Sequence, residues 1–284
     1  MNWPSGTLLA QAIASGLFTG SLYGLLGLGL SLSWGLLGQI NLSHFAFAMA
    51  SGYLTYELGT RGVDPLFAFA LMPLLFFAIG AGVQWVTAKF HVTPFNSLLA
   101  TFGLTIIVEA LLQWIWTADY RRLETHYSDL KGKVGSVFLP LPEMLTLIVS
   151  VTAATLVWLA FKRSDIGKAM RAAAEDAPIA VAFGINQGAL ALGLAGLGAA
   201  LAAAAGVCIA LTYTLAPSQI YSWIGVVFAC VMLGGLGRPF GPLIAGCIIG
   251  VVEAITMAVT APAWAPLVSF SLLLIVLLAR PGRA

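Results

Sequence analysis

The chain has 284 residues, 60% of them hydrophobic and only 8% charged, with a net charge of +2. Soluble domains carry roughly 25% charged residues, so this balance excludes an ordinary water-soluble core. No basic run stands outside the loops, so no nucleic-acid partner is expected.

A bilayer-spanning helix needs about 20 mostly apolar residues. Breaks in charge, Pro and Gly divide the sequence into nine apolar segments: 7–34, 42–58, 66–88, 97–117, 142–161, 188–212, 223–236, 241–260 and 266–279. The reading is an all-α, polytopic integral-membrane bundle with about eight to nine transmembrane segments, forming one membrane-spanning domain over residues 1–284. The second and seventh segments are short for a full crossing and read as partial or broken helices. The opening "MNWPSGTLLAQAIASG" lacks the basic start of a cleavable signal peptide, so the first span is expected to be retained.

In the first segment Gly16, Gly20 and Gly24 repeat at i,i+4, and Gly246 and Gly250 repeat that spacing later. Small residues on one face let helix backbones approach where lipid removes the usual hydrophobic drive. The approach is either to another helix of this chain or to a second membrane subunit. The first break, "GQINLSHFAF", places Asn41 and His44 between two apolar spans. Asn41 suits a helix cap or a polar opening. His44 has no Cys, His or carboxylate cluster around it, so no metal is expected. Glu109 in the fourth segment and Glu253 in the eighth sit at membrane depth. A charge there costs on the order of 3 kcal/mol, so each carboxyl is expected to face the bundle interior, either lining a translocation path or bonding two helices together. Gln39, beside Asn41 in the first break, could likewise cap the broken backbone or line an opening, and Gln84, Asn96 and Gln113 are lesser candidates of that kind. Cys208, Cys230 and Cys247 fall inside apolar spans and read as packing residues.

The connection 117–143 mixes charge with Tyr120 and Tyr127. It reads as a docking surface for a soluble protein or as a solvated connection. The stretch 161–186, "FKRSDIGKAMRAAAEDAPIAVAFGIN", gathers seven of the 24 charges (13 basic and 11 acidic). Ser164 or Asp165 can cap a helix running from about Ile166 to Glu175. Pro178 then fits the first turn of a second helix capped by Asp176, and Gly184 reads as its stop. Ile179, Val181 and Phe183 give that second helix apolar groups with little core of their own. If each segment crosses once, Lys89, Lys162, Arg163, Lys168, Arg171, Arg238, Arg280 and Arg283 share one side. Arg61, Arg121, Arg122, Lys131 and Lys133 share the other. The richer side is expected to be cytoplasmic, which puts the N-terminus outside.

"GKAMRAAAEDAPIAVAFGIN" resembles the cytoplasmic coupling segment of the ABC-transporter permeases for branched-chain amino acids. Arg171, Ala172, Ala174, Glu175, Asp176, Gly184, Ile185 and Asn186 follow that family's order. "YGLLGLGLSLSWGLLGQINLSHFAFAMASGY" (23–53) resembles its first span and the junction after it. "LGGLGRPFGPLIAGCIIGVVEA" (233–254) resembles its G-G-x-G turn and Glu-bearing helix. Length and opening are similar to the shorter of the two permease types, and the group extends to urea and amide importers.

The resemblance implies a translocation subunit of a bacterial inner (plasma) membrane importer, with no catalytic residue, metal or cofactor of its own. No G-x-x-x-x-G-K-[ST] phosphate loop occurs in the sequence. ATP would be bound by two separate cytoplasmic subunits gripping segment 162–187. Gly167, Arg171, Ala174, Glu175, Asp176, Pro178, Ile179, Phe183, Gly184 and Asn186 would form the coupling surface, and Asn41, His44, Glu109 and Glu253 the translocation path. A second permease subunit, identical or homologous, and an extracytoplasmic solute-binding protein would complete the assembly around a small polar solute. The rival is a stand-alone secondary transporter or channel using Glu109 or Glu253.

Overall fold

The computed structural model describes residues 5–128, 130–260 and 264–279. Each apolar segment is a helix: α1 (Gly6–Leu37), α2 (Ser43–Thr60), α3 (Ala68–Lys89), α4 (Pro94–Trp116), α5 (Leu141–Arg163), α8 (Gln187–Thr212), α9 (Ile224–Gly234), α10 (Gly241–Val259) and α11 (Ala265–Ala279). Between α5 and α8 lie two short helices, α6 (Asp165–Glu175) and α7 (Ala177–Ala182). Local chemistry sets the ends. The Thr93 hydroxyl caps α4 with Pro94 in its first turn, and Gly38 closes α1 in a left-handed conformation at φ +65°.

Among the described residues seven helices are long and apolar enough to cross a membrane, counting Pro65–Lys89 and Pro217–Gly234 as continuous. The short second segment has a structural cause. His44, at the start of α2, lies beside Leu26, which is 11 residues, or about 16 Å, back along α1 at 1.5 Å per residue. After α1 ends, residues 38–42 turn back into the bundle, and α2 starts at depth. Irregular backbone survives there only when its polar groups are satisfied. The Leu42 amide donates to Thr101 Oγ1 (3.2 Å), and the Ser43 amide to Asn41 Oδ1 (3.0 Å).

Helices α1 and α8 form the buried centre, apolar around their whole circumference. Helix α1 packs chiefly on α10 and α8, and α8 chiefly on α3 and α2. The glycine repeats meet each other within this chain. A methyl group on Gly16 would lie 2.6 Å from the Gly250 carbonyl oxygen, and one on Gly24 would lie 2.6 Å from the Leu243 Cα. No side chain fits between the two backbones. Large apolar side chains such as Leu74, Trp114, Leu156 and Ile248 stay exposed on the outside, as lipid-facing groups must.

Two ends are defined by contact. At one, Gln11 bonds both backbone groups of Phe138 (2.9 and 2.8 Å). There Arg121 and Leu215 also exchange backbone hydrogen bonds (2.9 and 2.7 Å). At the other, the last turn of α1 meets α6. The chain start and the charged segment therefore lie at opposite ends, as the alternation of segments requires. Of the cations assigned above to the two sides, Arg280 and Arg283 lie outside the described residues.

One element departs from the all-helical expectation. Lys131–Val134 (β1) and Val137–Pro140 (β2) pair antiparallel across Gly135–Ser136. Gly135 has φ +61°, the positive value required at the first central position of a two-residue hairpin loop. The Gly-Ser between two short β-prone runs was the available signal.

Candidate functional site: the charged elbow and the polar groups at membrane depth

The charged segment folds as a two-helix elbow whose joints are all local. Ser164 Oγ accepts the Gly167 amide (3.0 Å), so Ser164 rather than Asp165 caps α6. Gly167 packs so tightly on Phe161 that a side chain would strike the backbone, which fixes the α5–α6 bend. Asp176 Oδ1 accepts the Ile179 amide (3.0 Å) and caps α7, with Pro178 in its first turn. Gly184 closes α7 at φ +85°, and Asn186 Oδ1 caps α8 through the Ala189 amide (3.0 Å).

The elbow's polar face is left open. Lys168 Nζ meets Asp165 Oδ1 at 2.8 Å and, through that hydrogen bond, holds the Asp165 carboxyl below its usual range. Neither Arg171 nor Glu175 has a hydrogen-bond or ion-pair partner among the described residues, although both are exposed. Ile179, Val181 and Phe183 are also exposed, Phe183 at 84%. Met170 and Ala180 are buried, and α6 packs on α5, α1 and α8, with α7 against α6. The side chain of Ala174 lies outside the described residues.

The four residues assigned to a path do not converge on one cavity. Glu253, 7% exposed on α10, accepts the Tyr23 hydroxyl of α1 at 3.1 Å. Glu109 on α4 accepts the Tyr221 hydroxyl at 2.6 Å and the Gln113 amide at 3.2 Å. His44 Nε2 lies 2.9 Å from the Leu26 carbonyl, sealed where α1 meets α8. Asn41 both supports the start of α2 and lines a narrow crevice with Gln39, Gln84 and Thr101. Tyr23 and Tyr221 were missed by sequence reading; each stands more than 100 residues from its glutamate, and nothing local marks it.

A helical bundle with membrane-length spans and a polar elbow at one end defines a multi-pass membrane protein. The fold is similar to that of PsaBC from Streptococcus pneumoniae in complex with Fab, which superposes with a TM-score of 0.51. That match covers 93% of this chain and 90% of the solved one, at 14% identity. The family model for the branched-chain amino acid transport system / permease component matches residues 12–277, and the chain belongs to that family. It is similar to the high-affinity branched-chain amino acid transport system permease protein BraD of Pseudomonas aeruginosa, 27% identical over 95% of this chain and 94% of BraD. LivH, the permease protein of that system in Salmonella typhimurium, is 28% identical over 95% and 93%. LivH of Escherichia coli is 27% identical over the same shares. The chain is thus a permease component of an ABC importer and a multi-pass protein of the inner membrane.

Proposed function

We propose that this permease carries branched-chain amino acids, or small polar solutes of similar size such as other amino acids, amides or urea. In this reading it pairs with a second permease subunit. Two cytoplasmic ATP-binding subunits hydrolyse ATP, and an extracytoplasmic protein delivers solute to the end that carries loop 117–140. The chain contributes no covalent chemistry and needs no cofactor of its own. The elbow faces the cytoplasm, and ATP-driven closure of the partners moves it and tilts α5 and α8, to which it is joined.

The observation that carries this reading is the elbow's unpartnered surface. Among the described residues Arg171 and Glu175 offer charge without an internal partner, and Ile179 and Phe183, four apart on one face, present exposed apolar groups, with Val181 exposed on the opposite face. A short helix of that kind is suited to a groove on another protein. The rival reading, a self-sufficient transporter driven through Glu109 or Glu253, gains little support from carboxylates already held by tyrosine hydroxyls. The test is Glu175→Ala in the reconstituted importer, with ATP hydrolysis and uptake measured with loaded binding protein. Both are expected to fall about tenfold, and unchanged values would defeat the coupling assignment. Asp176→Asn is the better partner variant than Asp176→Ala, because it removes the charge but keeps the cap, whose loss alone costs about 1 kcal/mol.

A further inference from the structure

Behind the elbow lies a cavity of about 220 Å³ between the end of α1, α3, α6 and α8. Leu36, Leu190 and Leu194 give its walls aliphatic groups, while Gln39, Gln84 and Gln187 present amides. The Gln39 and Gln84 side-chain amides make no hydrogen bond among the described residues, and no charged side chain lines the cavity. Met170 and Ala173 of α6, three residues apart and on one helix face, close it from the elbow side. Arg171 and Glu175 lie four apart on another face of the same helix. Deeper in, the cavity shares Leu37, Gln39 and Gln84 with the crevice that reaches Asn41 and Thr101. There it narrows to about 10 Å³, no more than the space for one water.

We infer that this chamber receives the solute as it leaves the membrane, and that α6 is its movable wall. The inference rests on the importer function proposed above. An amide donates through its N–H groups to a carboxylate and accepts through its carbonyl from an ammonium, so two free amides suit both ends of a zwitterion. The leucines suit an aliphatic side chain. The absence of a fixed charge keeps the hold weak, and a station on a transport route must release what it binds. The α6 helix then links the two events: partners grip the face bearing Arg171 and Glu175, and the face bearing Met170 and Ala173 opens or closes the chamber.

The test uses the assembled importer in proteoliposomes, with Cys208, Cys230 and Cys247 replaced by Ala and a single Gln84→Cys introduced. Labelling by aminoethyl methanethiosulfonate is expected to differ about tenfold in rate between the nucleotide-free and the vanadate-trapped importer. Trp85→Cys, on the exposed face of α3, is expected to label alike in both. L-leucine on the inner side is expected to slow labelling of Gln84→Cys about threefold. Equal rates in the two states overturn the movable wall, and absence of leucine protection overturns the chamber. If Gln84→Cys does not assemble, Gln84→Leu decides: leucine moved per ATP hydrolysed falls about tenfold, or the chamber is wrong. Should Glu175→Ala leave stimulated ATP hydrolysis intact, the coupling assignment fails, while leucine protection still decides the chamber.

Discussion

The two polar ends of this molecule differ less in how much charge they carry than in what they do with it. At the loop end several of the groups are engaged internally, although Arg122, Glu124 and Lys131 are exposed without a side-chain partner among the described residues. Tyr127 donates to Asp64 at 2.7 Å, Glu57 holds both Arg61 and the Trp116 indole, and Arg121 reaches the Trp116 carbonyl at 3.2 Å. At the elbow end Lys168 pairs with Asp165 and the other side-chain hydrogen bonds go largely to helix caps, while Arg171, Glu175, Ile179, Val181 and Phe183 are exposed. One end uses polarity to fasten connections. The other presents it, so counts of charge alone would treat the two as equals.

The comparison breaks or sharpens under substitution, and the α1–α10 seam supplies the largest effect as a reference. Gly20→Leu forces a side chain between two touching backbones, where overpacking costs about 3 kcal/mol or more. The folded peak in fluorescence-detected size exclusion should disappear. Next, Ile179→Ser with Phe183→Ser should cut uptake by roughly 30-fold or more, the effect of losing a buried contact residue at an interface. Both residues are more than half exposed, so the melting temperature of the isolated chain should stay within about 1 °C. A large drop in melting temperature instead would mean these two side chains pack inside the chain.

The smallest effect belongs to the loop end, where Asp64→Asn should lower the melting temperature by less than about 2 °C and leave uptake unchanged. The Leu66 amide and then the Tyr127 hydroxyl hold the Asp64 carboxyl below its usual range. Because the folded value is depressed, this stabilisation is complete above the ordinary aspartate value of about 3.9. It fades as pH falls through the folded value. The difference between native and variant melting temperatures should therefore close in acid; a difference that persists there would assign the effect to something other than charge.

Much of the elbow was readable from local sequence, because its joints are local: Ser164, Asp176 and Asn186 each cap a helix within three residues. The path residues were not. Glu253 and Glu109 found hydroxyl partners 230 and 112 residues away. His44 turned toward a carbonyl of α1, while Gln39 from the first break and Gln84, a lesser candidate by sequence, line the cavity beneath the elbow.

By itself the sequence determined where this chain is helical and that it lives in lipid, since a bilayer demands long apolar runs whose backbone groups are satisfied within each helix. The glycine spacing also fixed which face of α10 bears Gly246, Gly250 and, three residues on, Glu253. Only the tertiary structure decided that α1 meets α10, that α2 starts in mid-bundle and that α6 walls a cavity. Helices such as α1 and α8 are apolar on every side, so no stripe in their sequence says which face turns inward. Packing among the helices makes that choice.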